Sequence, residues 1–120
     1  MKQRLTAKEE DLMKVFWAKG ELCIRDLLNN LPDPKPSYTT VATQVGFLEE
    51  KGFIERRPVA NTNLYKVVVS EKEYRGSTIG DVVSRYYNNS YESLVSQFIE
   101  DGKINVDELK EIIELIEKNK

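Results

Sequence analysis

The stretch "PSYTTVATQVGFLEEKGFIERRP", residues 36–58, decides the fold. Val41, Val45 and Leu48 stand at i, i+4 and i+7, the spacing of one buried helical face. Ser37 has the chemistry of an N-cap, and Gly52 supplies the left-handed residue that closes a helix. The rest of the helix is unusual, because Tyr38, Thr39, Thr40, Thr43 and Gln44 fill it with hydroxyls and an amide. Thr is only a middling helix former, so such a face calls for a use.

The segments on either side give that use a frame. Upstream, Thr6 and Glu9 have capping-box spacing, and Leu12, Met13, Val15 and Phe16 form an apolar face that ends at Gly20. "ELC" is a short extended link. A second helix starts near Ile24, carries Leu27, Leu28 and Leu31, and stops at "LPDPKP", whose prolines cannot continue it. Downstream, "FIERRP" and "LYKVVV" are rich in β-branched and aromatic residues and flank a polar "VANTN", the pattern of a hairpin.

Three helices and then a hairpin is the order of a winged helix-turn-helix, in which the third helix enters the DNA major groove and the wing follows the backbone. Hydroxyls and amides near the start of such a helix suit base edges and phosphates, and a Thr methyl suits thymine. The predicted DNA-binding residues are therefore Tyr38, Thr39, Thr40, Thr43 and Gln44 on the helix, with Arg56, Arg57 and Asn61 on the wing. No Lys or Arg lies between Tyr38 and Glu50, so the commonest reader of guanine is missing from this helix. The alternative is a winged-helix module whose hydroxyl face binds a protein.

Beyond residue 70 the signals are all helical. Ser70 with Glu73 repeats the capping-box spacing and opens a helix toward Tyr87, with Ile79, Val82, Val83 and Tyr86 on one stripe. "NNS" breaks it. Ser90 caps a helix with Tyr91, Leu94, Val95, Phe98 and Ile99, and Asn105 with Glu108 caps another with Val106, Leu109, Ile112, Ile113 and Ile116. Each large aliphatic side chain left wet forgoes roughly 1.5–3 kcal/mol, so these stripes need a cover. A second copy of the chain is the expected cover, with Leu94, Phe98, Leu109, Ile112, Ile113 and Ile116 as the seam; internal packing is the alternative. Two-fold pairing would present two reading helices to a palindrome.

The expected architecture is mainly α with a small β-hairpin: a winged-helix DNA-binding domain over 1–70, then a C-terminal helical dimerisation domain over 71–120. Charge divides the same way, with 11 Lys and Arg against 9 Asp and Glu in the first part and 7 against 11 in the second. The chain has no His, which removes the commonest general base and metal ligand, and it lacks a phosphate-binding Gly loop. The expectation is no enzyme activity and no cofactor. A lone Cys23 suggests a reducing, cytoplasmic setting, and neither an apolar span nor a signal-like core in "MKQRLTAKEE" suggests membrane insertion.

Four segments together resemble the penicillinase-repressor (BlaI/MecI-type) family of winged-helix transcriptional repressors. They are "LTAKEEDLMKVFWAKGEL" with Leu5, Thr6, Glu10, Met13 and Trp17, "YTTVATQVGFLEEKGFIERR", "LYKVVVS", and "ESLVSQFIEDGKINVDELKEI" with its "SLVSQF" block. The resemblance covers nearly the whole chain in order. It implies a homodimeric repressor on a palindromic promoter operator, controlling genes such as those for a β-lactamase or a membrane sensor protease. It also implies dimerisation through the C-terminal helices, and induction by that protease cutting between an Asn and a Phe, matched here by Gln97 and Phe98. This chain departs from the pattern in having Gln97 for Asn, and Ala42 and Phe47 where relatives carry Arg. It lacks the Cys-rich C-terminal motif of the copper-responsive branch.

Overall fold

Thr6 starts the first helix as its spacing predicts. Its hydroxyl accepts the Glu9 amide at 3.2 Å, and its own amide donates to the Glu9 carboxylate at 2.8 Å. In the computed structural model, which describes residues 4–119, this cap opens α1, Ala7–Lys19. Gly20, at φ 88°, closes it. The expectation drawn from "MKQRLTAKEE" falls in part on residues 1–3, which lie outside the described residues.

The remaining elements are α2 (Ile24–Asn29), α3 (Tyr38–Glu50), β1 (Ile54–Val59), β2 (Thr62–Val67), α4 (Glu71–Tyr86), α5 (Tyr91–Glu100) and α6 (Val106–Lys118). The strands pair antiparallel from Ile54 with Val67 to Val59 with Thr62. Leu22 adds one rung to the other edge of β2 by exchanging two backbone hydrogen bonds with Tyr65, at 3.2 and 2.9 Å. The "ELC" link is thus a minimal third strand, and the first part of the chain is a winged helix.

The hairpin tip is tighter than its sequence suggests. Val59 and Thr62 pair directly, which leaves a two-residue turn of Ala60 and Asn61, with Ala60 at φ 53°. Two-residue turns with a positive φ match the right-handed twist of the strands they join. The β-branched pair therefore extends the ladder into residues that read as loop.

The chain divides into two compact units, Met1–Thr78 and Ile79–Lys120. In the first, α1, α2, α3 and the hairpin enclose Leu12, Met13, Phe16, Leu27, Val41, Val45, Leu48, Phe53 and Ile54, all essentially sealed from solvent. The start of α4 belongs to this core through Tyr74. Its hydroxyl donates to Glu10 at 2.8 Å and accepts the Leu5 amide at 3.3 Å, and its ring lies 5.7 Å from that of Trp17. Trp17 in turn donates to the Val69 carbonyl at 2.9 Å.

In the second unit, Asn88 and Asn89 take positive φ values and end the α4 helix, as "NNS" predicts. Ser90 then caps α5 by accepting the Ser93 amide at 3.1 Å. Asn105 and Glu108 form the capping box that opens α6.

Candidate nucleic-acid interface

Helix α3 has three distinct sides once its buried face of Val41, Val45 and Leu48 is set against the core. Its outward stripe, at i, i+4, i+7 and i+8, consists of Thr39, Thr43, Gly46 and Phe47, all exposed. Tyr38 lies on the hairpin side. Together with Ile24, Asn61, Thr62, Asn63 and Tyr65 it lines a notch of about 150 Å³. Thr40 and Gln44 lie on the α1 side, lining a cavity of about 470 Å³ with Leu12, Val15, Leu31 and Pro34. The structure thus brings Tyr38 to Asn61 and keeps Thr39 with Thr43, but directs Thr40 and Gln44 away from both.

Three of the hydroxyls already have partners in the helix or its cap. Ser37 caps α3 by accepting the Thr40 amide at 3.2 Å, and its hydroxyl shares a 2.9 Å hydrogen bond with that of Thr40. Thr43 donates its hydroxyl proton back to the Thr39 carbonyl at 3.0 Å. Thr in a helix interior commonly bonds this way, and the helix tolerates it at slight cost.

The two wing arginines occupy opposite faces of the ribbon, because adjacent strand residues alternate. Arg56 shares a face with its cross-strand neighbour Tyr65, whose ring centroid is 6.0 Å from the guanidinium, and donates to Glu49 of α3 at 3.0 Å. Arg57 faces the other way and grips Glu21 with two hydrogen bonds of 2.8 Å each. The hydrogen bond from Arg57 is the main reason the Glu21 carboxyl is held below its ordinary range, and Glu49 likewise raises Arg56. Both arginines are exposed, so these pairs are screened by salt, and a phosphate can compete for the guanidinium.

Glu21, Glu49 and Phe47 are the members of this surface that sequence reasoning did not assign. Glu21 is 36 residues from its arginine, and no local pattern announces that pair. Phe47 was legible, since it stands four residues past Thr43 on the same stripe, and the residue is 48% exposed.

The second unit carries a different kind of surface. Neither α5 nor α6 has a fully buried residue. Leu94 and Leu109 are half-buried, while Phe98, Ile112, Ile113 and Ile116 are exposed along with Val95, Ile99 and Leu115. The Gln97–Phe98 bond lies inside α5, with the Gln97 amide donating to Asp101 at 3.0 Å and the Phe98 carbonyl accepting the Lys103 amide at 2.8 Å. Among the described residues no helix is long and apolar enough to cross a membrane.

The penicillinase repressor family model matches residues 5–118 of the chain. The chain is similar to the methicillin resistance regulatory protein MecI of Staphylococcus aureus (strain N315), with 24% identity over 115 residues, covering 95% of this chain and 94% of that one. It is 22% identical over 118 residues to the penicillinase repressor of Bacillus licheniformis, covering 98% and 92% of the two chains. Among solved structures it is similar to a MepR-like protein complexed with pseudoligands, with a TM-score of 0.48 and 14% identity over 95% of this chain and 72% of that one.

Proposed function

The chain belongs to the penicillinase repressor family, and from that premise we propose that it is a homodimeric transcriptional repressor binding a palindromic promoter operator through α3 and the hairpin. Members of this family are DNA-binding repressors, not enzymes. In this reading residues 1–70 bind DNA and residues 71–120 dimerise. Thr39 and Thr43 meet base edges, Tyr38 and Asn61 meet the backbone together, and Thr40 and Gln44 act at the α1 side of the groove. Arg56 and Arg57 hold phosphates after releasing Glu49 and Glu21.

The observation that carries the dimer is the uncovered apolar surface of α5 and α6, where Phe98, Ile112, Ile113 and Ile116 are all exposed. Contiguous apolar surface of that kind marks an interaction site on a protein that stays in solution. Leu94 and Leu109 complete the seam. Pairing two DNA-binding halves makes the second half-site contact intramolecular, so losing the dimer forfeits that gain and derepresses. A cut at Gln97–Phe98 by a membrane sensor protease would do this by detaching α6. The bond is helical, so α5 must unwind before a protease can take it as an extended strand.

The regulated genes in this reading are of the β-lactamase or sensor type, and the test begins upstream of the protein's own gene. Fluorescence anisotropy with that DNA, at several salt concentrations and against scrambled duplex, should show saturation at one dimer per palindrome. Affinity should fall with salt at a log–log slope of about −0.9 per phosphate neutralised. Equal binding to scrambled DNA at low salt would overturn the repressor reading in favour of a winged-helix module that docks on protein, a contact almost blind to salt.

A further inference from the structure

The outward stripe of α3 presents an aromatic ring and no cation. Phe47 is 48% exposed, one turn beyond Thr43 and two beyond Thr39. No Lys or Arg stands between Tyr38 and Glu50. Beside the ring, Gly46 is exposed, and a Cβ added there would meet nothing within 4 Å. Core packing therefore gives no reason for a glycine that weakens the helix interior, whereas close approach of a bulky partner to the helix backbone does. The hydroxyl of Thr43 is turned to the Thr39 carbonyl, which leaves its methyl as the group not spent on a hydrogen bond.

We infer that Phe47 is a specificity-determining residue that reads the 5-methyl group of thymine, with the Thr43 methyl beside it. The operator half-site then presents thymine, rather than guanine, opposite the Thr43–Phe47 turn of α3. This rests on the DNA-binding reading above. The thymine methyl is the one apolar group on the major-groove base edges, and phenyl and Thr methyl groups are its natural complements. A guanine at that position would bury its N7 and O6 acceptors against a ring that has no donor, so the same residue rejects guanine.

The test uses the full-length protein and duplexes selected from random sequence by binding. Each thymine of the selected site is replaced in turn by deoxyuridine, which lacks only the methyl. At one position per half-site, affinity should fall about fourfold, the value of one buried methyl-sized group. Phe47→Ala should bind the thymine and deoxyuridine duplexes alike at that position, and Phe47→Arg should move the selected base to guanine. Indifference of the unmutated protein to every thymine methyl overturns the inference, as does a methyl effect that persists in Phe47→Ala; both leave the repressor reading standing. If Phe47→Ala changes self-association and not base preference, the ring belongs to a protein contact and the inference fails. Selection that yields no preferred sequence removes the repressor reading and this inference with it.

Discussion

Lys51, the residue that caps the end of α3, donates to the carboxylate of Glu9 in the first turn of α1 at 2.6 Å, and to the Arg4 carbonyl at 3.3 Å. Glu9 is only 3% exposed and also closes the capping box of α1. One carboxylate therefore ties the start of the first helix to the end of α3. Removing Lys51 leaves that charge buried with a single remaining set of partners. Lys51→Met should therefore cost about 2–3 kcal/mol of stability in urea unfolding. A cost within the scatter of surface substitutions would mean water replaces the ammonium freely.

Acid should act through the same group. Burial pushes the Glu9 carboxyl up, but the hydrogen bonds from Lys51 and Thr6 and the charge of Lys51 outweigh it and hold it below its ordinary 4.5. A carboxyl depressed by folding contributes its full stability above that ordinary value and loses it as pH falls through the lower folded value. Unfolding free energy should thus fall with decreasing pH below about 4.5, and Glu9→Gln should show a shallower acid limb. Parallel limbs for the two proteins would assign the acid sensitivity to other carboxylates.

If Arg57 holds a phosphate as proposed, Glu21 must compete with DNA for it, since both carboxylate oxygens accept hydrogen bonds of 2.8 Å from the guanidinium. Glu21→Gln should raise affinity for all duplexes alike and steepen the salt dependence. Arg57→Ala should weaken all duplexes alike and flatten the slope by about one phosphate's share. An unchanged slope in Arg57→Ala would show that Arg57 stays with Glu21 when DNA is bound.

Ser37 separates the stability of α3 from its proposed contacts with DNA. Losing its bonds to Thr40 should cost about 1 kcal/mol in Ser37→Ala and fray the turn that carries Tyr38 and Thr39. DNA affinity should drop while the salt slope stays as in the unmutated protein, because no phosphate partner is removed. A flattened slope in this variant would instead place the Ser37 hydroxyl on a phosphate.

The local features of the fold were legible because local chemistry makes them. Thr6, Ser37, Ser70, Ser90 and Asn105 each bond an amide three residues on, and the spacing of Val41, Val45 and Leu48 alone sets which face of α3 is buried. What depends on distant neighbours was not legible. Thr40 and Gln44 read as part of one hydroxyl face, yet they line a cavity shared with α1 and the proline-rich connector, because a wheel shows direction and not what stands there. Arg56 and Arg57 read as a pair of DNA-binding residues on the wing, but strand alternation sends them to opposite faces and to different carboxylates. Tyr74 lies in a helix that reads as the start of the second domain, and its hydroxyl bonds at Leu5 and Glu10 make it part of the first core.

The proposed dimerisation through α6 makes a prediction that the fold itself does not disturb. Ile113 and Ile116 are 53% and 59% exposed, so replacing them removes little from the packing within one chain. In a two-fold interface each substitution occurs twice, and each buried isoleucine is worth roughly 1.5–3 kcal/mol. Ile113→Asp alone should therefore weaken the dimer by about 3–6 kcal/mol, two to four orders of magnitude in its dissociation constant. Sedimentation velocity across a concentration series should show the unmutated chain as a dimer and Ile113→Asp as a monomer with unaltered helical circular dichroism. Operator binding should then weaken and lose its dependence on dimer formation, while the salt slope per bound chain stays the same. A variant that sediments as the unmutated protein does would exclude α6 from the interface and leave the apolar stripe of α5, with Phe98 and Ile99, as the surface to test next.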